Sequence, residues 1–369
     1  MRITKIILIL LLTLFINCDN PVSPIRNGEY AFAIYFLDDK NLKMKDVYDK
    51  NLEELKLASK PWLSDRDIRF YDWSSHLIYL KKDKTHFIPG WEKDKKPNFL
   101  PEEWTDKPFI VTANGRQCYM GYFSHIFYSR IPWKAPMIAD IFNSTYPHDI
   151  IMSVWWFLYH DTPQNNQKVK NSLTEAGLYR GGISVTFDTT DAIVDFENAD
   201  TSTVTYRFTI SNNDQDDLYI LDPDKTGTDL FHWYNNGITF MNIETRRIYE
   251  PVWRKYVEPP SHDYWSPEWF TKLKSGQSIR RTVVLKGYPY FPTGEYIFEF
   301  RYSGPISGME KDIREHEDSR YWVGPTRSNI LVLGLYLDDA VESSMKINNI
   351  SQSQLKMIRN YEPQSIKER

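Results

Sequence analysis

Ile183-Ser184-Val185-Thr186-Phe187, Val204-Thr205-Tyr206-Arg207-Phe208-Thr209-Ile210 and Tyr296-Ile297-Phe298-Glu299-Phe300-Arg301-Tyr302 share one rhythm. Apolar or aromatic residues occupy every second position, and mostly polar ones lie between. Successive side chains of a strand point to opposite faces, so this period of two means one face buried and the other largely wet. The period sets in past Gly181-Gly182, with further candidate strands at 192–197, 218–221, 238–243, 278–286 and 329–333. Asn236-Gly237 adds a turn of the kind that joins neighbouring strands. The expected fold is therefore mainly β, with antiparallel sheets packed face to face across residues 179–336.

Two local patterns refine this. Leu273-x-Ser275-Gly276-Gln277-Ser278 precedes one strand, and Gly294-x-Tyr296-x-Phe298-x-Phe300 opens a late one. On these residues the stretch from 181 to 335 resembles the immunoglobulin-like or fibronectin-type β-sandwiches of bacterial surface proteins. The resemblance implies a tyrosine hydroxyl bonded back to nearby backbone. The cysteine pair of antibody domains is absent, so it implies architecture only, and a fold carries no function with it.

Upstream, residues 28–178 read as an α+β unit. Tyr30 to Leu37 is an apolar, aromatic-rich run of strand length, and His76 to Leu80 is another strand candidate. Lys40 to Ala58, charged with recurring Leu and Val, is expected to be helical. Ser64-x-x-Asp67 has the form of a capping-box variant that begins a helical turn. Phe109 to Ala113, Asn114-Gly115 and Arg116 to Phe123 form a hairpin, because both residues of a type I′ turn need positive φ. Its return strand places Cys118, Met120 and Tyr122 on one face, which suits a packed, inert thiol better than a nucleophile. Asp149 to Tyr159 is apolar and tryptophan-rich, and its pattern separates neither strand from helix. Asn165 to Ala176 is a helix, with Val169, Leu173 and Ala176 on its stripe and Gly177 as its stop.

The first residues carry an address. Arg2 and Lys5 precede a run from Ile6 to Ile16 that is apolar except for Thr13, too short to span a bilayer, and Cys18 follows. With Leu14-Phe15-Ile16-Asn17 before the cysteine, this resembles a bacterial lipoprotein signal. The resemblance implies a signal peptide over 1–17 and acyl chains such as palmitate on Cys18. Residues 18–27, including Asp19-Asn20-Pro21-Val22-Ser23-Pro24, would be the tether to the membrane. The protein is then expected in the cell envelope, outside the cytoplasm and held at a membrane through its lipid. With Cys18 acylated, Cys118 has no disulfide partner. Residues 337–369 are polar and unevenly charged, and read as a tail.

Composition excludes some functions. Forty-five Lys and Arg stand against 49 Asp and Glu, a formal net charge of −4, which lacks the concentrated positive charge of a nucleic-acid binder. No His-x-x-x-His or His-Glu-x-x-His pair, Gly-x-Ser-x-Gly elbow or glycine-rich phosphate loop is present. Asp222-x-Asp224-x-Thr226-Gly227 starts like a calcium loop, but its twelfth position is Trp233, so it reads as a plain turn. Neither metal nor cofactor is expected. His160-Asp161 and His316-Glu317-Asp318 are polar clusters of the ordinary solvated kind.

The densest unexplained stretch is Trp253 to Phe270. It carries Trp253, Tyr256, Tyr264, Trp265, Trp269 and Phe270 among Pro259, Pro260 and Pro267. These rings are the candidate binding residues, set against a plain packing role at one end of the sandwich. The expected function is a non-catalytic binding module for an envelope protein or glycan. The alternatives are an envelope hydrolase, with its site in the N-terminal unit or between the two, and a structural spacer.

Overall fold

The computed structural model describes residues 30–92, 98–125, 133–154, 162–196, 201–235, 238–249, 266–292, 294–304, 314–328, 331–335 and 345–347. Cys18, its leader over 1–17 and its tether over 18–27 lie outside the described residues, as do Trp253, Tyr256, Tyr264, Trp265 and the Asn236-Gly237 turn.

The chain is mainly β. In the N-terminal half one sheet runs β2 (Leu63–Ser64), β1 (Phe32–Phe36), β5 (Pro108–Ala113), β6 (Arg116–Ser124), β7 (Met137–Ala139). A second runs β8 (Ile150–Met152), β4 (Leu77–Leu80), β3 (Ile68–Asp72), β9 (Tyr179–Arg180). Asn114 and Gly115 take φ of 48° and 73°, and Ala113 pairs with Arg116, which is the two-residue turn expected of this dipeptide.

The return strand differs from its simple period. Register shifts between Val111–Tyr119 and Thr112–Gln117, leaving Cys118 as a bulge. Cys118 therefore packs on the cluster that holds Tyr119 and Phe123, while Met120 and Tyr122 face other clusters.

Helices in this half are α1 (Met44–Val47), α2 (Asp140–Thr145) and α3 (Gln167–Glu175). In α3 the Asn166 side chain caps the N–H groups of Lys168 and Val169, and Gly177 closes the end at φ 71°. Val169 and Leu173 are buried; the third buried position is Ser172 rather than Ala176, which is exposed. Lys40 to Ala58 is not one helix. It holds α1 and a 3₁₀ turn at Leu52–Glu54, because the gap from Val47 to Leu52 breaks the i, i+3/i+4 spacing and Asp49-Lys50-Asn51 fills it. Leu37, Val47, Leu55 and Ile110 still bury together. Ser64 and Asp67 also start no helix. Asp67 Oδ2 accepts from Ser64 N–H at 2.9 Å and Ser64 Oγ at 2.7 Å, shaping the turn into β3.

In the C-terminal half, β10 (Ile183–Phe196), β11 (Thr201–Asn212) and β16 (Ser278–Pro289) form one antiparallel sheet. A larger one runs β14 (Ile248–Tyr249), β13 (Ile238–Asn242), β17 (Gly294–Ser303), β21 (Leu331–Leu335), β22 (Met345–Ile347), with β20 (Pro325–Arg327) also on β17. The segment expected as a polar tail thus contributes β22, paired Leu333 to Ile347. The third sheet runs β15 (Phe270–Leu273), β12 (Asp217–Leu221), β19 (Ser319–Tyr321), β18 (Glu315–His316).

The alternating residues of the opening stretch meet as designed by their period. Phe187 lies 4.6 Å from Phe298, and Phe208 lies 5.3 Å from Phe300, ring centre to ring centre. All four are buried, and each such ring contributes about 1.5–3 kcal/mol by leaving water. Two short helices, α4 (Pro223–Thr226) and α5 (Thr228–Asn235), join β12 to β13. Asp222 is the N-cap of α4 and is held by Arg281 through two bonds of 2.7 Å. That is a capped turn tied by an ion pair.

Candidate functional site

Of the aromatic stretch, Trp269 and Phe270 are described, and both serve the C-terminal core. Phe270 opens β15 and is buried with its ring 4.8 Å from Tyr321, edge to face. Trp269 is half-buried, 5.8 Å from Tyr234 of α5. Phe270 therefore presents no surface for stacking.

Groups with chemical potential are mostly silenced by burial. The half-buried Cys118 thiol is pushed up in pKa by burial, despite a backbone hydrogen bond and the nearby Lys168. Burial lowers His76 to about 4 and His232 to about 3, so both rings are neutral near pH 7. His76 Nδ1 lies 3.1 Å from Tyr71 Oη, and His232 Nε2 lies 3.0 Å from Tyr206 Oη. Among the described residues no group of three or more His, Cys, Asp or Glu is placed to hold a metal ion. Nor is any described helix long and apolar enough to cross a membrane.

One catalytic-looking pair stands out. His125 and Asp140 follow the carboxyl ends of the parallel neighbours β6 and β7, with Nδ1 2.5 Å from Oδ2 and Asp140 buried. A buried carboxylate on Nδ1 fixes the tautomer and orientation of an imidazole, as a general base requires.

The two halves meet at a charged seam. Arg320 Nη2, on β19, donates to Asp72 Oδ2 at 2.6 Å and to Asp214 Oδ2 at 2.7 Å, and all three residues are buried. Asp72 Oδ1 gathers Ser74 Oγ, Ser75 Oγ and Ser75 N–H, while Ser74 Oγ accepts from Trp322 Nε1 at 2.9 Å and Ile183 N–H at 3.1 Å. Beside it Arg69 pairs with Asp149 and Glu315, and the buried Arg314 pairs with the same two carboxylates. Arg320 Nε and Nη1 lack acceptors, but the guanidinium carbon sits 5.2 Å from the Phe70 ring centre, where the negative face of the ring offsets the charge. Gly181-Gly182 threads this seam. At Gly182, φ +64°, a Cβ would overlap Ser74 Oγ and lie 2.7 Å from Asp72 Oδ1. The carboxylates of the seam are all met by fixed donors, and the nitrogens left over, Arg320 Nε and Nη1 and Arg314 Nε, are buried beside the Phe70 and Tyr79 rings, so the seam is a joint.

Among the described residues, one group that reaches the surface with chemistry to offer is an aromatic corner. It sits at one end of the first sheet, where Phe36 ends β1, Trp62 precedes β2, and Trp104 closes a 3₁₀ turn before β5. Phe123 of β6 and Trp104 form a buried floor, their ring centres 4.8 Å apart. Phe36 and Trp62 are half-buried and stand over it: Phe36 to Trp104 is 5.2 Å, and Trp62 to Phe123 is 5.1 Å at 86°. Trp62 is locked by donation from Nε1 to Phe87 O at 2.8 Å. Lys107 lays its ammonium 4.3 Å above the Phe36 ring and 5.8 Å from Trp104. Burial lowers its pKa, with Lys43 and Lys40 acting in the same direction against Glu103.

Sequence reasoning missed this corner because its members span residues 36 to 123 with no shared period. The only signal was compositional, the 15% share of aromatic residues.

No family model, curated protein or solved structure matches this chain.

Proposed function

We propose that this protein is a lipid-anchored, extracytoplasmic module of the cell envelope that binds an envelope protein or glycan without catalysis. Support for the address is the basic start, short apolar run and Cys18, whose sulfur would carry the acyl anchor. For the architecture we infer an immunoglobulin-like sandwich in the C-terminal half. The facing contacts Phe187–Phe298 and Phe208–Phe300 support it, as does Tyr296, whose hydroxyl donates to Pro292 O at 2.5 Å as the resemblance implied.

The observation that carries the binding function is the aromatic corner, where locked, half-exposed rings lie beside a cation. Rigid aromatic faces bury area at little entropic cost, which is why they anchor ligands. The test immobilises the soluble form beginning at residue 19 and exposes it to purified envelope glycan and to solubilised envelope protein. Trp62→Ala, with an unchanged thermal midpoint, should lose retention; full retention by that variant would remove the corner from the function. Intact mass of protein from its native host should show acyl mass on Cys18.

A second function, an envelope hydrolase, is favoured by the His125–Asp140 pair alone. It requires turnover of an envelope ester or glycoside that His125→Ala abolishes.

A further inference from the structure

We propose that the aromatic corner is a subsite for an acidic sugar, a pyranose bearing a carboxylate, stacked on Trp62 and Phe36 with its carboxylate on Lys107 Nζ. This rests on the corner being the binding site, and adds the class of ligand.

Three features select that class. The first is shape. Phe36 and Trp62 are tilted by 48° with centres 6.1 Å apart, a shallow open angle rather than a slot for a planar base. The axial C–H bonds of a pyranose carry partial positive charge and meet the negative face of an aromatic ring.

The second is an unfilled ammonium. Lys107 Nζ has no hydrogen-bond acceptor and no ion pair among the described residues, only its ring contacts. The half-buried guanidinium groups are answered differently, Arg69 by Asp149 and Glu315, Arg281 by Asp222 and Arg180 by Asp216, while Lys170 shares the ring-only setting of Lys107, over Trp73 and Tyr179. A half-buried ammonium with a carboxylate in reach makes a charge-assisted bond about twice as strong as a neutral one.

The third is division of labour among the lysines. Lys43 Nζ already donates to Glu103 O at 3.0 Å and Thr105 O at 2.8 Å, so it braces the 3₁₀ turn that carries Trp104. Lys40 is exposed. Their charges reinforce the local positive field in a chain of net charge −4, and an incoming anion relieves the repulsion on Lys107. A neutral sugar would leave that repulsion in place.

The experiment uses the soluble protein beginning at residue 19 and titrates it with trigalacturonate and with its methyl ester, in which a methyl group caps each carboxylate and removes its charge. Tryptophan emission and calorimetry report binding, and sodium acetate serves as the carboxylate-only control. Wild type should bind trigalacturonate at least about tenfold more tightly than the ester, the worth of one such charge contact. Lys107→Met, which keeps an apolar stem over Phe36, should erase that preference by bringing trigalacturonate down to the affinity of the ester. Trp62→Ala should lose both saccharides, and acetate should not compete at equal concentration. Equal affinity for acid and ester, an undiminished preference in Lys107→Met, or no saccharide binding at all would overturn the acidic-sugar assignment. Those outcomes are separable from failure of the binding function itself, which is read from retention of envelope components by wild type and Trp62→Ala.

Discussion

Arg320 and Asp72 lie 248 positions apart in the chain, yet Nη2 and Oδ2 are 2.6 Å apart in a site where both residues are buried. A carboxylate taken out of water survives only with a partner, and this one is supplied by the opposite half of the molecule. Replacing Arg320 by Met should cost about 3–5 kcal/mol, because Asp72 and Asp214 would both be left buried without it. Arg320→Lys should recover only part, since the shorter stem draws its ammonium back from the place where Nη2 meets both acids and gives up the flat guanidinium that covers Phe70. Urea unfolding followed by fluorescence reads both.

The glycines of the joint and of the helix end make a controlled pair. Gly182→Ala should destabilise by more than about 2 kcal/mol, since positive φ adds to the overlap with Ser74. Gly177→Ala has similar φ, +71°, but open space around the new methyl group, so only about 1 kcal/mol is expected. Equal losses in thermal or urea unfolding would show that backbone conformation alone decides the matter.

Acid should weaken the fold in two windows. His232 stays neutral in the native state down to about pH 3, whereas its unfolded form takes a proton near 6.5. The unfolded state thus gains protons first as pH falls, and stability should drop by about 1.4 kcal/mol per unit from this site between those values. His232→Gln should flatten that slope. Asp222 acts lower. Burial pulls its pKa up, but Arg281, Thr271 and the Asp224 N–H outweigh it and leave the pKa below 3.8. Its contribution is present above 3.8 and lost as pH falls through the depressed native value, and Asp222→Asn should remove that part of the acid limb. Urea midpoints measured from pH 8 to pH 2 separate the two.

Cys118 should behave as packing. With burial raising its pKa, a disulfide reagent at pH 8 should modify it at least about tenfold more slowly in the native protein than in urea. Fast labelling of the native form would contradict its place in the bulge.

Tyr296→Phe should cost about 1 kcal/mol by leaving Pro292 O without its hydroxyl donor, with the strand pattern of β17 unchanged in circular dichroism.

Local signals were legible wherever a short stretch fixes its own geometry. Asn114-Gly115 dictates its turn, Asn166 and Gly177 bracket a helix, and the alternation through 183–187, 204–210 and 296–302 places facing rings. Reasoning failed where neighbours in space override neighbours in sequence. Lys40 to Ala58 has the composition of a helix, but its leucines are spent on the flank of β1 and β5. Ser64 and Asp67 carry a capping signature that serves a turn instead. Asp72, Asp214 and Arg320 look like ordinary surface charges until the chain folds them together, and no period marks them. The same holds for Phe36, Trp62, Trp104 and Lys107, which come from β1, the bend before β2, a 3₁₀ turn and the loop that leads from it into β5.

Gly181 and Gly182 have an evolutionary corollary. A domain can move between genes as a unit only if its core is complete without the rest. Severing the polypeptide at those glycines would leave Asp72 upstream and Arg320 with Asp214 downstream, and would open to water the face on which they now answer one another. By this reasoning the downstream part should resist transfer by itself, and descendants of this chain should inherit both parts together or neither.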